Sequence, residues 1–138
     1  HTPDAVERAL AVARTCASER VIAVLGCGGD RDRAKRTPMG AAAGTLADIV
    51  IVTDDNPRSE DPAEIRAAVL AGAASETAEL LEIGDRRSAI HKACELARPG
   101  DCVIVLGKGH ESGQESHGVV RPFDDRAVLA EAIAVVLA

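Results

Sequence analysis

The chain has 138 residues, of which 46% are hydrophobic and 28% are charged, a balance that fits one globular domain and excludes a disordered chain. The sequence has no Trp, no Tyr and one Phe, which excludes a platform that stacks single-stranded nucleic acid on aromatic rings. The net charge of −6 argues against general binding to nucleic acid or to a membrane surface.

Hydrophobic periodicity predicts an α/β fold. An amphipathic helix is expected over 4–17, and a short β-branched strand follows at 21–25. The same alternation predicts helices at 38–47, 62–73, 86–97 and from Asp124 or Asp125 to 138, and strands at 49–53, 79–83 and 102–106. Residues 114–120 fit a short hairpin that turns near His117. Because wholly apolar strands alternate with helices, we predict a Rossmann-like, mostly parallel sheet with helices on both faces.

Cysteine usage and hydropathy indicate the compartment. The four cysteines are spread along the chain without a C-x-x-C pair, so neither a disulfide framework nor a metal site is predicted. No apolar run reaches the roughly 18 residues of a membrane span, and no secretory signal pattern opens the chain. We therefore expect a cytoplasmic protein without membrane contact. Since the chain begins at His1 without an initiator methionine, we also expect a piece of something longer.

Three polar loops follow predicted strands and hold the candidate functional residues. They are GCGGDRDR at 26–33, DDNPRSED at 54–61 and GKGHE at 107–111. Ligands of parallel α/β sheets bind at the carboxyl ends of the strands, so these loops are expected at one edge of the sheet. The first loop is not a dinucleotide fingerprint, because Arg31 stands where G-x-G-x-x-G requires its third glycine. No G-x-x-x-x-G-K-[ST] phosphate loop occurs in the chain.

The side chains of these loops suit a small ligand with several charged ends. Arg31 and Arg58 offer guanidinium groups that match carboxylates. Asp55 and Glu111 offer carboxylates to ammonium groups, and Asn56 both donates and accepts hydrogen bonds. This set of charges predicts a receptor for a zwitterionic small molecule.

Simpler hypotheses remain open from the residues alone. In one, the glycines of the first loop only allow the backbone to turn. In another, Asn56 and Arg58 belong to a turn whose side chains are exposed to solvent. A different functional class is a stand-alone α/β small-molecule-binding or cation-dependent regulatory module, in which Asp54 and Asp55 hold the cation.

Three motifs in order resemble the C-terminal domain of the Mur ligases, the ATP-dependent amide ligases of peptidoglycan synthesis. The motifs are GCGGDRDRAKRTPMG at 26–40, TDDNPRSEDP at 53–62 and GKGHESGQ at 107–114. HTPD at 1–4 resembles the end of the segment that opens this domain. The resemblance covers nearly the whole chain. It implies that 1–138 is a single domain, the C-terminal, amino-acid-binding domain of a three-domain ligase.

The resemblance also implies a reaction and a substrate. Mur ligases use ATP and Mg²⁺ to convert a carboxylate of a UDP-linked precursor to an acyl phosphate. The amine of an amino acid then attacks this acyl phosphate. The precursor implied here is UDP-N-acetylmuramoyl-L-alanyl-D-glutamate. The family's DNPR motif recognises meso-diaminopimelate, and lysine-adding relatives differ at its arginine. The implied substrate-binding residues are Arg31, Asp55, Asn56, Pro57, Arg58, Gly107 and Glu111.

The parts that activate the carboxylate belong to the family's other domains. These are the phosphate loop, a carboxylated lysine that helps to hold magnesium, and the domain that binds the UDP-sugar. Asp30 resembles the acidic position through which the C-terminal domain contributes to ATP binding. The resemblance therefore implies a domain that binds its amino acid and closes over ATP, with no catalytic residue or metal ligand of its own and no activity in isolation.

Overall fold

The computed structural model describes residues 2–108 and 112–138, which form a parallel sheet covered by helices and a separate β-hairpin. The helices are α1 (Pro3–Cys16), α2 (Arg36–Leu46), α3 (Pro62–Ala73), α4 (Arg86–Leu96) and α5 (Asp125–Leu137). The strands are β1 (Val21–Cys27), β2 (Ile49–Asp54), β3 (Glu79–Glu82), β4 (Cys102–Leu106), β5 (Gly113–Ser116) and β6 (Val119–Pro122). The predicted α/β class is confirmed.

The sheet has the order β3-β2-β1-β4, and its strands are parallel to their neighbours. All seven residues of β1 are buried, which explains why that strand is apolar without alternation. One core cluster includes Leu10 of α1, Met39 of α2 and Val69 of α3. The other cluster includes Ile90 of α4 and Val128 of α5. Helices therefore cover both faces of the sheet, as predicted.

Side-chain caps fix where most helices begin. The side chains of Thr2, Asp61, Asp85 and Asp124 accept hydrogen bonds from backbone N–H groups in the first turns of α1, α3, α4 and α5, respectively. Of the two candidates for the last helix, Asp124 is thus the cap. Asp125, the first residue of α5, instead binds Arg86, with 2.7 Å between Oδ2 and Nη2.

The structure differs from the predicted boundaries near the loops. β1 and β2 extend to Cys27 and Asp54, so Gly26 lies in a strand rather than in a loop. α2 begins at Arg36, two residues before the predicted start. Pro38 is tolerated there because the N–H groups of the first helical turn have no partner within the helix. The predicted hairpin is β5–β6, and it turns at His117 and Gly118 with positive φ angles of 49° and 77°.

Two further observations concern the parts of the chain that the structure describes. Within them, no helix is long and apolar enough to cross a membrane. Cys16, Cys27, Cys94 and Cys102 are all free thiols.

Candidate functional site

The carboxyl ends of β1, β2 and β4 lie at one edge of the sheet, and a pocket of about 260 Å³ opens there. Residues 28–33 are called loop 1, residues 55–61 loop 2, and residues 107–112 loop 3. The pocket lies between loops 1 and 2 and is lined by Cys27, Gly28, Arg31, Asp32, Lys35, Arg36, Met39, Asp55, Asn56 and Arg58. Four of the predicted site residues therefore share one cavity: Arg31, Asp55, Asn56 and Arg58.

Loops 1 and 2 touch backbone to backbone at Gly29. Its N–H donates to the carbonyl of Asn56 at 2.7 Å. A Cβ built on Gly29 would lie only 1.9 Å from the carbonyl oxygen of Pro57, so this contact requires glycine. Pro57, a predicted substrate-binding residue, thus contributes its carbonyl to loop packing, and it is absent from the described pocket lining. Its contact with a substrate stays a prediction.

Arg58 is fixed in place while part of its guanidinium group reaches the pocket. Nη1 donates to the carbonyl of Gly29 at 2.9 Å, and Nε lies 3.7 Å from Glu115 Oε1. The side chain is 20% exposed. The backbone of Arg58 has a φ of 52°, a left-handed conformation that is uncommon for residues with a side chain and points to a local constraint.

The β5–β6 hairpin supplies that constraint. The N–H of Arg58 donates to the carbonyl of Glu115 at 3.0 Å. Asn56 Oδ1 accepts from the N–H of Glu115 at 2.8 Å, and Gln114 Nε2 donates to the carbonyl of Asp55 at 2.7 Å. Asp55 and Asn56 are 1% and 6% exposed. The hypothesis of a solvated turn is therefore wrong, because the hairpin covers loop 2.

Lys108 is a buried residue whose role the sequence did not reveal. Its Nζ donates to the carbonyl of Gly113 and lies 3.5 Å from Asn56 Oδ1 and 3.8 Å from Asp55 Oδ1. Lys108 therefore joins loop 3 to loop 2 and to the hairpin. Asp55 already faces this internal ammonium group, and its predicted contact with an ammonium group of a substrate stays a prediction.

The acidic pair of loop 2 does not have the geometry of a cation site. Asp54 Oδ1 lies 2.6 Å from Nη1 of Arg66, while Asp55 faces Lys108. Burial raises the pKa of Asp54, and the bond from Arg66 opposes that rise. In the described residues, no group of three His, Cys, Asp or Glu side chains is arranged to hold a metal ion. These contacts count against the cation-dependent regulatory module.

Asp30 links the two loops instead of projecting freely. Its carboxylate accepts from the hydroxyl of Ser59 at 2.6 Å and from the N–H of Ser59 at 3.2 Å. These two hydrogen bonds hold the pKa of Asp30 below its usual range. The backbone φ of Asp30 is 52°. A contact of Asp30 with ATP stays a prediction, and the structure adds this loop-bridging role.

The sequence also did not predict the ion pair between Arg36 and Glu60. Nη1 and Nη2 of Arg36 bind Oε1 and Oε2 of Glu60 at 3.1 and 2.7 Å. The hydrogen bond from Arg36 lowers the pKa of Glu60 to about 2. Arg36 begins α2, and Glu60 lies in loop 2, 24 positions further along the chain. No periodic pattern in the sequence pairs residues that are so far apart.

The remaining predicted residues are Gly107, Glu111 and Arg31. Gly107 has a φ of 109°, and a Cβ there would lie 2.4 Å from the carbonyl oxygen of Gly26. It permits the close approach of two strand ends and is not part of the described pocket lining. Glu111 lies outside the described residues, as does the neighbouring His110. Arg31 is an exposed residue of the pocket wall.

The pocket favours an anionic ligand group. Among its charged lining residues, Arg36 is paired with Glu60 and Asp55 with Lys108. The other charged groups of the lining are the cations of Arg31, Lys35 and Arg58 and the carboxylate of Asp32. Arg58 lies 3.7 Å from the 40% exposed side chain of Glu115, which is not part of the lining. Guanidinium groups bind carboxylates through two parallel hydrogen bonds, so the arrangement suits a ligand that carries carboxylates.

Comparisons with known proteins give a consistent result. The family model described as "Mur ligase, glutamate ligase domain" matches residues 1–109. The chain is 56% identical over 137 residues to the UDP-N-acetylmuramoyl-L-alanyl-D-glutamate--2,6-diaminopimelate ligase of Streptomyces avermitilis, covering 96% of this chain and 27% of the relative. It is 52% identical over 134 residues to the ligase of the same name from Brucella melitensis, covering 97% and 27%. The chain thus spans about a quarter of the length of these curated relatives.

Solved structures show the same similarity. A structure of a UDP-N-acetylmuramoyl-L-alanyl-D-glutamate--2,6-diaminopimelate ligase superposes with a TM-score of 0.93 at 45% identity, covering 100% of this chain and 28% of that chain. A domain of a Haemophilus ducreyi protein shares the fold at 14% identity, with a TM-score of 0.61 over 99% of this chain and 85% of that domain.

Proposed function

The chain belongs to the Mur ligase family, and from this premise we propose that residues 1–138 are the amino-acid-binding, C-terminal domain of a three-domain ligase. The proposed ligase joins meso-diaminopimelate to UDP-N-acetylmuramoyl-L-alanyl-D-glutamate. Support comes from relatives above 50% identity whose names state this activity. The chain matches about a quarter of their length, so the proposal assigns the remaining steps of the reaction to other domains.

The observation that carries the proposal is the placement of Arg31 and Arg58 around one pocket. A Cβ built on Gly28 would lie 3.1 Å from Arg58 Nη1 and 3.7 Å from Arg31 Cγ, so both side chains flank the same short stretch of loop 1. meso-Diaminopimelate carries two carboxylates and two ammonium groups, whereas L-lysine lacks the distal carboxylate. We assign the distal carboxylate to Arg58. A site built around that bond disfavours L-lysine, by up to about 10⁴-fold, since the carboxylate partner of a largely buried guanidinium would be missing.

This domain contributes binding, orientation and exclusion of water to the ligation. ATP, when bound, supplies the phosphoryl group that activates the D-glutamate carboxylate. The pocket holds the incoming amino acid so that its free amine meets the activated carboxylate when the domains close, which also limits hydrolysis. The sequence has no G-x-x-x-x-G-K-[ST] loop, so ATP and Mg²⁺ are assigned mainly to the other domains. The isolated chain is expected to bind its amino acid without forming product.

The proposed reaction belongs in the cytoplasm. All four cysteines are free thiols, as is usual in a reducing compartment, and the ligation consumes ATP. The proposed partners are meso-diaminopimelate and, through the other domains, the UDP-linked dipeptide. Neither nucleic acid nor a membrane has a part in this scheme.

A ligation assay with the complete reading frame tests the proposal. ADP release and product mass are measured with ATP, Mg²⁺, the UDP-linked dipeptide and either meso-diaminopimelate or L-lysine. We expect product with meso-diaminopimelate at a kcat/KM at least about 100-fold above that for L-lysine. Equal use of the two amino acids, or no product with meso-diaminopimelate, contradicts the proposal. The reading frame upstream of His1 is also expected to encode G-x-x-x-x-G-K-[ST], the phosphate loop of the central domain.

A further inference from the structure

The ion pair of Arg36 and Glu60 joins the start of α2 to loop 2 and also contacts loop 1, and loops 1 and 2 carry Arg31 and Arg58. Both side chains of the pair are buried, with exposed fractions of 6% and 8%. The guanidinium meets the carboxylate through two bonds, at 3.1 and 2.7 Å. Arg36 is the first residue of α2, and Glu60 lies in loop 2 two residues after Arg58.

Each member of the pair also holds the backbone of loop 1. Arg36 Nη2 donates to the carbonyl of Gly28 at 3.1 Å, and Glu60 Oε2 accepts from the N–H of Asp30 at 2.6 Å. Gly28 is the residue that Arg31 and Arg58 flank. The ion pair therefore contributes to the position of the segment that separates the two arginine side chains, together with the bonds at Gly29.

Stability alone does not explain this arrangement. A buried ion pair contributes little to stability compared with apolar residues of similar volume, because both charges lose their hydration. A cation in the first turn of a helix is also unfavourable, since the amino end of the helix dipole is positive. The pair lines the pocket through Arg36 and bonds to two backbone groups of loop 1. Its geometry is suited to holding loop 1 at a fixed distance from loop 2.

We propose that Arg36 and Glu60 are positioning residues that determine selectivity for a dicarboxylic amino acid, because they hold Arg31 and Arg58 in register around the pocket. This inference rests on the proposed function. Neither residue needs to touch the substrate. Losing the pair removes its bonds to the backbone of Gly28 and Asp30, so that loop 1 shifts relative to loop 2 and the two arginines no longer match the two carboxylates of one ligand.

The test is steady-state kinetics of the complete ligase carrying Arg36→Lys or Glu60→Gln. Lysine keeps the charge but cannot reach both carboxylate oxygens and the Gly28 carbonyl, and glutamine keeps the shape but loses the charge. We expect the KM for meso-diaminopimelate to rise by about tenfold or more, because small misplacements of binding groups are costly. We expect kcat to change by less than about threefold. The kcat/KM ratio of meso-diaminopimelate to L-lysine is expected to fall by about the same factor as the KM rises.

Arg20→Lys is the matched control. Arg20 binds Asp101 at 2.7 Å and the carbonyl of Leu96 at 3.0 Å, the same kinds of partner that Arg36 has. It lies just before β1, at the opposite edge of the sheet. This variant is expected to lower the melting temperature while the KM and the substrate ratio stay within about twofold of wild type.

The double variant Arg36→Met/Glu60→Met removes both buried charges, and we expect it to fold and to show the same loss of selectivity.

The outcomes separate the two proposals. If the unmodified ligase does not use meso-diaminopimelate, the proposed function fails, and this inference fails with it. If the unmodified enzyme is selective but Arg36→Lys and Glu60→Gln keep the KM and the substrate ratio within about twofold, only this inference is overturned. The inference is also overturned if Arg20→Lys changes the KM and the substrate ratio as much as Arg36→Lys and Glu60→Gln do. Neither KM nor the substrate ratio depends on the folded fraction, so partial unfolding does not obscure the result.

Discussion

Arg58 is the residue on which the proposed choice between meso-diaminopimelate and L-lysine depends. Its backbone is held by the hydrogen bond to the Glu115 carbonyl, and its guanidinium is held at the pocket wall by the Gly29 carbonyl and the Glu115 carboxylate. A preorganised arginine loses little conformational entropy when a carboxylate binds. Its contribution is therefore expected to appear in ligand affinity more than in the stability of the fold.

Replacing Arg58 tests that role. We expect Arg58→Ala to weaken meso-diaminopimelate binding by about 2–5 kcal/mol, the usual cost of stranding one member of a desolvated charge pair. Binding is measured by calorimetry, and stability by urea unfolding. Arg87→Ala serves as the control, because Arg87 is half exposed and binds Glu131 on α5. An affinity within about twofold of wild type in Arg58→Ala would rule out Arg58 as the carboxylate-binding residue.

Gly29 controls how closely the two loops approach. In Gly29→Ala, the new Cβ would meet the Pro57 carbonyl oxygen at 1.9 Å, so the loops must separate. We expect a loss of about 1–3 kcal/mol in the free energy of unfolding, typical of overpacking, together with weaker meso-diaminopimelate binding. Ala34→Ser adds one atom at an exposed position of the same region and should leave both quantities unchanged. Unaltered stability and binding in Gly29→Ala would show that the loops tolerate separation.

At the scale of elements, Arg86 connects α4, α5 and two strand ends beneath the site. It binds Asp125 at 2.8 and 2.7 Å through Nε and Nη2, and it also donates to the carbonyls of Asp54 and Leu106 at 3.1 and 3.3 Å. The side chain is fully buried. One residue thus satisfies the carboxylate at the start of α5 and the ends of β2 and β4.

Removing Arg86 is therefore expected to lower the stability of the folded chain strongly. Arg86→Met should lower the free energy of unfolding by about 3–5 kcal/mol, because it leaves Asp125 as an unpaired buried charge. The double variant Arg86→Met/Asp125→Leu should recover only part of that loss, since the hydrogen bonds from Arg86 to the carbonyls of Asp54 and Leu106 stay lost. Urea unfolding measures both. Full recovery in the double variant would mean that the bonds to the two carbonyls contribute little.

At the scale of the whole molecule, arginine–carboxylate pairs at opposite edges of the sheet link stability to pH. The hydrogen bond from Arg20 lowers the pKa of Asp101 to about 2, and that from Arg36 lowers the pKa of Glu60 to about 2. Both carboxyl groups are thus more acidic in the folded chain than in the unfolded chain. The stability they contribute is fully present above about pH 5 and is lost as the pH falls toward 2.

Asp101→Asn tests this linkage. The variant is expected to be less stable than wild type at pH 7 but to lose less stability between pH 5 and pH 2, because one of the titrating groups is gone. Urea unfolding at several pH values measures the difference. Parallel pH profiles for the two proteins would contradict the depressed pKa of Asp101.

The sequence predicted the sheet and the edge at which the site lies, because both follow from local patterns. Apolar runs such as residues 21–25 identify buried strands, and the loops after them must share one edge. The contacts within the site could not be predicted in this way. Lys108 meets Asn56 across 52 positions, and Gln114 reaches Asp55 across 59. No periodicity encodes such pairs, which depend on how the hairpin packs on loop 2.

The most direct measurement is an NMR titration of the chain with meso-diaminopimelate and, separately, with L-lysine, following the backbone amides. We predict shifts at Arg31, Asn56 and Arg58 with meso-diaminopimelate and much smaller shifts with L-lysine at the same concentration. Arg20 and Asp101, at the opposite edge of the sheet, should not respond. Equal responses to the two amino acids, responses confined to other parts of the chain, or no response to either would contradict a preformed, selective amino-acid site in this domain.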